Sequence, residues 1–586
     1  MKVIKRDGRA VEYNKEKIKI AIGKANKEVA KEEKASTRQI DNIIKYIEQL
    51  NKKRILVEDI QDIIEKKLME QKKYELAKKY IIYRYKRALV RKQNTTDESI
   101  LGLLKGTTNR EYIKANKLSE KRTLIAKEVS KDISERILIK ENIVKAHKNG
   151  EIYFHNMDYF IDSAIDTSLI NLDDMLRNGF EINGVKQKEP INFFDAIGKT
   201  IEIVKDVISN QYGTLTIDIK PLSKYLEKTK EKQDKELFKE ELSTGVKILL
   251  LSLNNIENND AILYLNIEKT KYEESLNLLI KEILEEKIKN TYSNVKLIYV
   301  LNEINKKDRE YEYLTDLAIE CHQKTNYPNF LSEKMMKEKY KCLFPPIGIQ
   351  IFLPPVKVDG KVINQGRFSQ GLVSINLAHI ALENKYDIDK FYKGLEEKLE
   401  IAKEALICKY FAIRGTTTTG SPTHFENGAI ARLEKGENID KLLRRNYSCI
   451  SLGYIGLTDA VKYLSKEKDI NTLHKLATDI LKFIKERCNL WNEQYNISFV
   501  LTSPDEKNVN KYFYEKDKEL LPRVDKDGYD KNADFIKDLK DINKEKEFHQ
   551  ISDGYISKIK LPDDLEEAKD MLNLIYENIM YVGKRN

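Results

Sequence analysis

The sequence predicts an α/β protein in two units: a small α-rich domain capped by a β-hairpin, and a far larger α/β domain in which helices and short strands alternate. Three observations carry this. The 586 residues exceed the size at which a single hydrophobic core stops growing. Four helical patterns fill the first ninety positions behind a hairpin signal, and no internal repeat is found along the chain. From about Ser99 onward, helical patterns alternate with short β-rich runs, the arrangement expected of an α/β domain. With 41% hydrophobic residues, only 11 Pro and 24 Gly, and no low-complexity tract, the chain is neither disordered nor fibrous.

The elements follow in order. Lys2 to Arg6 and Arg9 to Tyr13 flank Asp7-Gly8, a dipeptide that accepts the positive φ angles of a two-residue hairpin turn. Asn14 is a good N-cap for a first helix carrying Ile18, Ala21, Ile22 and Ala25 on one face. Ile40, Ile43, Ile44 and Ile47 repeat the pattern in a second helix. A third begins near Glu58 with Ile60, Ile63, Ile64 and Leu68, and a fourth spans about Tyr74 to Val90. The polar stretch Arg91 to Glu98 reads as the linker, so the domains are expected at 1–92 and 99–586. In the larger one, Lys296 to Leu301, Ile347 to Leu353 and Leu372 to Leu377 read as β-rich. Tyr514 to Glu547 is highly charged and reads as an exposed excursion before a last helix, Leu565 to Ile579.

Composition narrows the function classes. The net charge of +10 is the small difference between 104 basic and 94 acidic residues, scattered in both signs, so nucleic acid is not the favoured partner. The longest apolar stretches, such as Gly245 to Leu253, fall short of the ~18 residues that span a bilayer, and the N-terminus opens with charges; no membrane association and a cytoplasmic location are expected. Cys321, Cys342, Cys408, Cys449 and Cys488 form no C-x-x-C, so neither a zinc knuckle nor a dithiol pair is spelled locally. The seven histidines spell no metal motif.

Two resemblances sharpen the reading. The string Val3-Ile4-Lys5-Arg6-Asp7-Gly8, followed by Asn14 and Lys17-Ile18 at the first helix, resembles an ATP-cone, the nucleotide-sensing module of ribonucleotide reductases and their repressors. A hairpin that places Lys5 and Arg6 beside a helix N-terminus supplies a point charge, a bidentate donor and backbone N–H groups for a triphosphate. The resemblance makes Val3, Lys5, Arg6, Asn14, Lys17 and Ile18 the candidate ATP or dATP site. Val57 and Gln61 stand where the module often carries Thr and His.

The larger domain resembles the anaerobic, glycyl-radical (class III) ribonucleoside-triphosphate reductases. Gly150 to Tyr159 is similar to the family's G-x-I-x-x-H-D-L-D-Y. Leu169 to Leu176, Gly366-Arg367, Gly371 to Leu377, Ser451 to Gly456 and Thr502 to Glu506 match further segments. The resemblance implies a ten-stranded α/β barrel with an internal finger loop, assembled as a homodimer, and makes His155, Asn376, Thr502 and Ser503 remnants of a substrate pocket. Asn376 would hydrogen-bond a ribose hydroxyl; Thr502 and Ser503 would donate to phosphate. Thr458-Asp459 reads as an N-cap that adds anion affinity.

The family's radical parts are the exception. Its finger loop, P-M-G-C-R-x-F-L, corresponds here to Pro346 to Leu353, with Ile349 in place of the cysteine that takes the ribose 3′-hydrogen. Its second cysteine corresponds to Thr167, whose O–H bond is too strong for this radical. The family's zinc pairs and radical loop follow a segment that corresponds here to Tyr581-Val582-Gly583, and Gly583 reads as a helix C-cap. No zinc and no glycyl radical are therefore expected, nor any catalytic residue. The expectation is a non-catalytic homologue that binds ATP or dATP, alone as a homodimer or as a heteromer with an active reductase. Two alternatives stand beside it: an active reductase whose radical parts are supplied by another chain or by Cys342, and a structural relic without ligand.

Overall fold

The computed structural model describes residues 2–4, 10–50, 54–85, 118–256, 259–307, 310–358, 360–466, 469–504, 507–520, 529 and 542–584. It divides into two compact units, Met1–Val129 and Ser130–Asn586.

In the first unit, strands β1 (Lys2–Ile4) and β2 (Ala10–Glu12) pair antiparallel, and β3 (Arg54–Leu56) adds to β1 in parallel. The register places Val3 opposite both Val11 and Ile55. These three side chains join one cluster with the helices α1 (Lys15–Asn26), α2 (Thr37–Gln49) and α3 (Val57–Glu70). Asn14 caps α1 as expected, its side chain accepting from Glu16 N at 2.9 Å, and Ser36 with Gln39 forms a capping box on α2. Two expectations need correction. Ile4 pairs with Ala10, one residue off the register that a two-residue Asp7-Gly8 turn would set; burial of Val3 and Ile55, with half-buried Val11 packed on them, decides the pairing. The strand β3 was also not anticipated, because three residues are too few to show a period.

The second unit is built on ten strands: β4 (Ser168–Leu169), β5 (Leu215–Asp218), β6 (Ala261–Leu265), β7 (Val295–Leu301), β8 (Asn329–Ser332), β9 (Arg367–Asn376), β10 (Ser448–Ile455), β11 (Ser498–Thr502), β12 (Ser557–Ile559) and β13 (Tyr581–Lys584). Their order is β11-β10-β9-β4-β5-β6-β7-β8-β13-β12, and an eleventh strand, Ile152–Phe154, pairs antiparallel with β9 off this path. Strands β4 to β8 run parallel to one another and β9 to β11 likewise, and the two groups meet antiparallel at β9/β4. At the other junction β8 runs antiparallel to β13. A parallel bridge from Thr502 to Gly554, just before β12, closes the ring. This is the ten-stranded α/β barrel, made of two five-stranded parallel halves of opposite direction.

Alternation along the strands explains its layers. On β7, Val295, Leu297, Tyr299 and Leu301 pack outward with helices such as α4 (Phe193–Ser209), α5 (Lys235–Asn254), α6 (Glu273–Lys289) and α7 (Glu312–Thr325). Ile298 and Val300 point the other way, into a cluster with Phe344 and Phe352. Both faces are covered, so β5, β6 and β8 are buried at every residue. The second half has its own outer layer, with α8 (Ile388–Ile413) and α9 (Ile470–Tyr495).

Three more expectations change here. Ile347 to Leu353 forms a loop inside the barrel, with one isolated bridge between Ile347 and Ile351. Gly583 lies within β13, opposite Lys558; the last helix, Leu565–Asn578, ends at Ile579, and the buried run Met580 to Val582 continues as a barrel strand. The flanks of the charged stretch 514–547 are only partly exposed: Glu515, Lys518 and Glu547 face outward while others are buried. Tyr514 and Asp517 are buried on the helix Lys507–Leu520, and Glu545 is buried on the helix Ile542–Ile551. Asp517 tolerates burial because its carboxylate accepts from Asn376 Nδ2 at 3.0 Å and meets His379 Nδ1 at 2.5 Å. Most of 521–541 lies outside the described residues.

Candidate functional site

The finger loop sets the site. Ile347 N donates to Ile351 O at 2.8 Å and Ile351 N returns the bond at 3.2 Å, closing a tight loop whose tip is Gly348 to Gln350. Gly348 adopts φ +63°, and a Cβ there would lie 2.7 Å from Thr167 Cγ2, so glycine is what lets the tip meet β4's approach. Two bonds fix the loop across the barrel. Thr216 Oγ1 on β5 donates to Gly348 O at 3.2 Å, and Phe352 N donates to Asp553 O at 2.9 Å beside the closing seam.

Between this tip and the barrel wall is a cavity of about 370 Å³. Its lining includes four residues singled out from the sequence: His155, Thr167, Ile349 and Thr502. The middles of β9 and β10 contribute Leu372 and Ser451, the C-terminal end of β11 contributes Thr502, and the opening ends of β6, β7 and β8 contribute Asp260, Lys296 and Asn329. His155 Nε2 lies 2.8 Å from Ser374 Oγ, and its carbonyl accepts from Lys409 Nζ at 2.7 Å. Thr167 Oγ1 donates to Asp166 Oδ1 at 3.2 Å. Gly213 makes room for both, since a Cβ there would lie 2.3 Å from each of those oxygens. Lys296 and Asp260 form an ion pair of 2.5 Å.

Other candidates sit elsewhere. Asn376 ends β9 and caps the helix Leu377–Glu383: its Oδ1 accepts from His379 N at 3.1 Å, and its Nδ2 donates to Gly150 O and Asp517. Its amide thus completes a buried cap away from the cavity lining. Ser503 N donates to Gly554 O at 2.8 Å, next to the cavity but not in its lining. Thr458 and Asp459 are already inside the helix Leu457–Leu464, whose N-cap is Gly456 at φ +76°; an N-cap at Thr458-Asp459 is therefore ruled out by the glycine turn ahead of it. Cys342 Sγ donates to Tyr340 O at 3.4 Å and packs in the cluster of Phe344 and Phe352, outside the cavity lining.

Sequence reasoning missed two buried groups. Lys409, on α8, is 4.1 Å from the Phe154 ring centroid; burial draws its ammonium down to about 8, against the pull of Asp166. Cys449, on β10, packs beneath the finger loop with Ile347, Leu353 and Val500, and burial pushes its thiol up to about 12, so it stays protonated. The alternation Cys449-Ile450-Ser451 along a strand was the available signal, since Ser451 lines the cavity and Cys449 shares its face.

In the first unit, Val3 and Ile18 are buried in the core, while Asn14 and Lys17 lie exposed at the start of α1. Lys5 and Arg6 lie outside the described residues. Helix α3 starts directly from β3, and its N-cap Leu56 makes no side-chain cap hydrogen bond. Gln61, one turn on, has a buried Oε1 with no hydrogen-bond partner among the described residues.

Comparison with known proteins places both units. The family model for anaerobic ribonucleoside-triphosphate reductase matches residues 111–584, and that for the ATP cone domain matches residues 1–89. The anaerobic ribonucleoside-triphosphate reductase of Haemophilus influenzae is 27% identical over 99% of this chain and 89% of its own length. That of Enterobacteria phage T4 is 28% identical over 81% and 86%. The anaerobic ribonucleotide reductase of Thermotoga maritima, solved with citrate in the active site, superposes with a TM-score of 0.66 at 16% identity, over 83% of this chain and 94% of that one. With its ATP-cone, barrel and finger loop, this chain belongs to the anaerobic ribonucleoside-triphosphate reductase family.

Proposed function

We propose that this protein is a non-catalytic member of its family that binds ATP or dATP through the cone and acts as a regulatory or partner subunit in deoxyribonucleotide metabolism. One observation carries the reading: the two family cysteine positions, Ile349 and Thr167, face the same cavity, and neither holds a thiol. A hydrogen-atom relay from protein to ribose needs an S–H at the loop tip. An isoleucine there offers only strong C–H bonds, and the threonine hydroxyl carries no reducing equivalents. Cys342 does not line the cavity, which removes the specific support for an active enzyme with a substituted thiol. Nucleoside triphosphates as ligands are supported by the cone match and by the relative from Thermotoga maritima solved with dATP and CTP. The working form is a homodimer or a heteromer with an active reductase.

The test has two arms on the full chain. Calorimetry with ATP and dATP is expected to give micromolar binding, about 8 kcal/mol, that disappears in the Lys5→Ala, Arg6→Ala double variant. Incubation with an activase, formate and ribonucleoside triphosphates under anaerobic conditions is expected to yield no deoxyribonucleotide. Product above background, lost in Cys449→Ser or Cys342→Ser, would overturn the non-catalytic reading; absence of nucleotide binding would overturn the regulatory one and favour a structural relic.

A further inference from the structure

Because the two halves of the barrel run in opposite directions, each mouth carries the C-terminal strand ends of one half only. The finger-loop cavity lies on the side where β11 ends and β6, β7 and β8 begin. The opposite mouth, formed by the ends of β4 to β8, holds a second and larger cavity of about 810 Å³. Crevices at the carboxyl ends of parallel strands are where α/β proteins bind ligands, and this volume suits a small molecule.

Its chemistry is specific. Four of the strands lead into a polar residue at this mouth: Asp218 ends β5, and Asn266, Asn302 and Glu333 follow β6, β7 and β8. Asn302 Nδ2 donates to Asn266 Oδ1 at 3.1 Å, and Asn266 Nδ2 to Glu268 Oε1 at 2.8 Å, so the floor is a pre-ordered amide chain. Asp218 accepts from Lys220 N at 3.0 Å and from Gln365 Nε2 at 2.8 Å. Above this floor stands Tyr264. It is 2% exposed and lines the cavity, and its buried hydroxyl has no hydrogen-bond partner among the described residues. A buried hydroxyl left unpaired costs about 1 to 3 kcal/mol, which a ligand oxygen would relieve. Burial, helped by Asp218, Glu268 and Glu333, holds this phenol well above its ordinary range, so it remains an O–H donor.

The charged rim is largely self-neutralised. Lys220 pairs with Glu268, Lys337 with Glu333 at 2.8 Å and Lys224 with Glu189 at 2.7 Å. Asp173, also in the lining, pairs with Arg177, and Lys269 and Glu303 complete the charged edge. Inside that edge the cavity offers a ligand a neutral O–H donor, amides and the Asp218 carboxyl, beside the apolar faces of Phe344 and Pro345. That combination matches a ring with hydroxyls on its edge and C–H bonds on its face. We propose that this second mouth is a binding site for an uncharged, hydroxyl-rich ligand of sugar size, a free sugar or the ribose of a nucleoside. Phe344 and Pro345 begin the stem of the finger loop, so the occupant touches the segment that carries Ile349 to the other mouth.

The experiment is saturation-transfer NMR on the full chain with D-ribose, D-glucose and adenosine as probes. Transfer to at least one probe is expected. It should fall at least fivefold in Tyr264→Phe, which removes only the hydroxyl, and in Gln365→Ala, which changes a half-buried side chain at the rim, while Thr502→Ala at the other mouth leaves it intact. Transfer to adenosine alone assigns a nucleoside as the source, and transfer to the free sugars assigns a sugar. No transfer to any probe overturns the proposal, as does transfer unchanged in both cavity variants or lost in Thr502→Ala.

Discussion

Replacing Glu545 by Gln tests how the barrel seam stores charge. Glu545 is wholly buried on the helix Ile542–Ile551, where Ser557 Oγ on β12 donates to its Oε2 at 2.5 Å. The same serine oxygen lies 2.9 Å from His549 Nε2. A hydroxyl has one proton, so while serine donates to the carboxylate, the imidazole donates to the serine. Burial holds His549 down at about 3, hence neutral, and pushes the Glu545 carboxyl up to about 7 from 4.5, against the opposing pull of Ser557. Between pH 4.5 and 7 the unfolded chain has released this proton and the folded chain has kept it. The folded state then binds more protons, so stability falls as pH rises through that window. At about 1.4 kcal/mol per tenfold, the full effect is about 3 kcal/mol. Glutamine keeps the shape and can donate to Ser557, which then donates to His549, with no charge to bury. Glu545→Gln is therefore expected to gain about 2 to 3 kcal/mol on the wild type between pH 5 and pH 8.5. Urea unfolding followed by the fluorescence of Trp491, the single tryptophan, reads the second unit directly. A difference that does not change with pH, or a variant less stable than wild type at pH 8.5, would refute the reasoning.

Three further outcomes follow from geometry. Gly348→Ala is expected to destabilise the second unit by at least about 1 to 2 kcal/mol from its positive φ alone, with an added steric part that Thr167→Ser, which removes Cγ2, relieves; a double-mutant cycle in urea with no coupling would contradict the contact. Arg367 is buried and donates to the carbonyls of Tyr447 at 2.7 Å, Pro354 at 3.1 Å, Ile363 at 3.3 Å and Asn446, and Arg367→Met is expected to cost about 3 to 5 kcal/mol by leaving these acceptors unpaired, measured by the same unfolding curve. Asn14→Ala is expected to cost about 1 kcal/mol and Asn14→Gly only a few tenths, read as faster hydrogen exchange at the first turn of α1.

What could be read from the sequence tracks how much each signal depends on distant partners. The helices α1 to α3 were legible because Ile18, Ile22, Ile43, Ile47 and Ile64 repeat at the helical period whatever they pack against. Strands β3 and β4 were not, since two or three residues carry no period and their pairing is set by β1 and by β5 or β9 far along the chain. His155, Thr167, Ile349 and Thr502 converge on one cavity because the motifs that named them are tied to barrel positions. Asn376 was misplaced for a physical reason: an amide at a strand end serves a helix cap or a ribose equally well, and only the neighbouring Asp517, more than a hundred residues on, decides between them. Lys409 and Cys449 escaped because a lysine in a helix and a cysteine in a strand look ordinary until both are found buried beside the site.

The finger loop explains how a barrel of this family keeps its form without a thiol at its tip. None of the bonds that fix the loop involves the side chain of residue 349: they run between Ile347 and Ile351 backbones, from Thr216 to the Gly348 carbonyl, and from Phe352 N to Asp553 O. Phe352 is fully buried against Tyr581, and Ile347 and Leu353 pack on Cys449 and Val500, so the apolar stem is anchored as firmly as any core segment. A cysteine at 349 would therefore be a chemical device mounted on a scaffold that does not need it. Replacing it with isoleucine removes a reactive S–H and adds apolar surface that packs with the Phe344 and Phe352 cluster, and because residue 349 is only half-buried the larger side chain is accommodated at the cavity edge. Ile349→Cys is accordingly expected to fold with an unfolding midpoint close to wild type and to present a thiol that small alkylating reagents reach through the cavity. An unfolded or wholly unreactive Ile349→Cys chain would mean that the loop tip has been repacked around isoleucine and no longer stands where the family's chemistry is done.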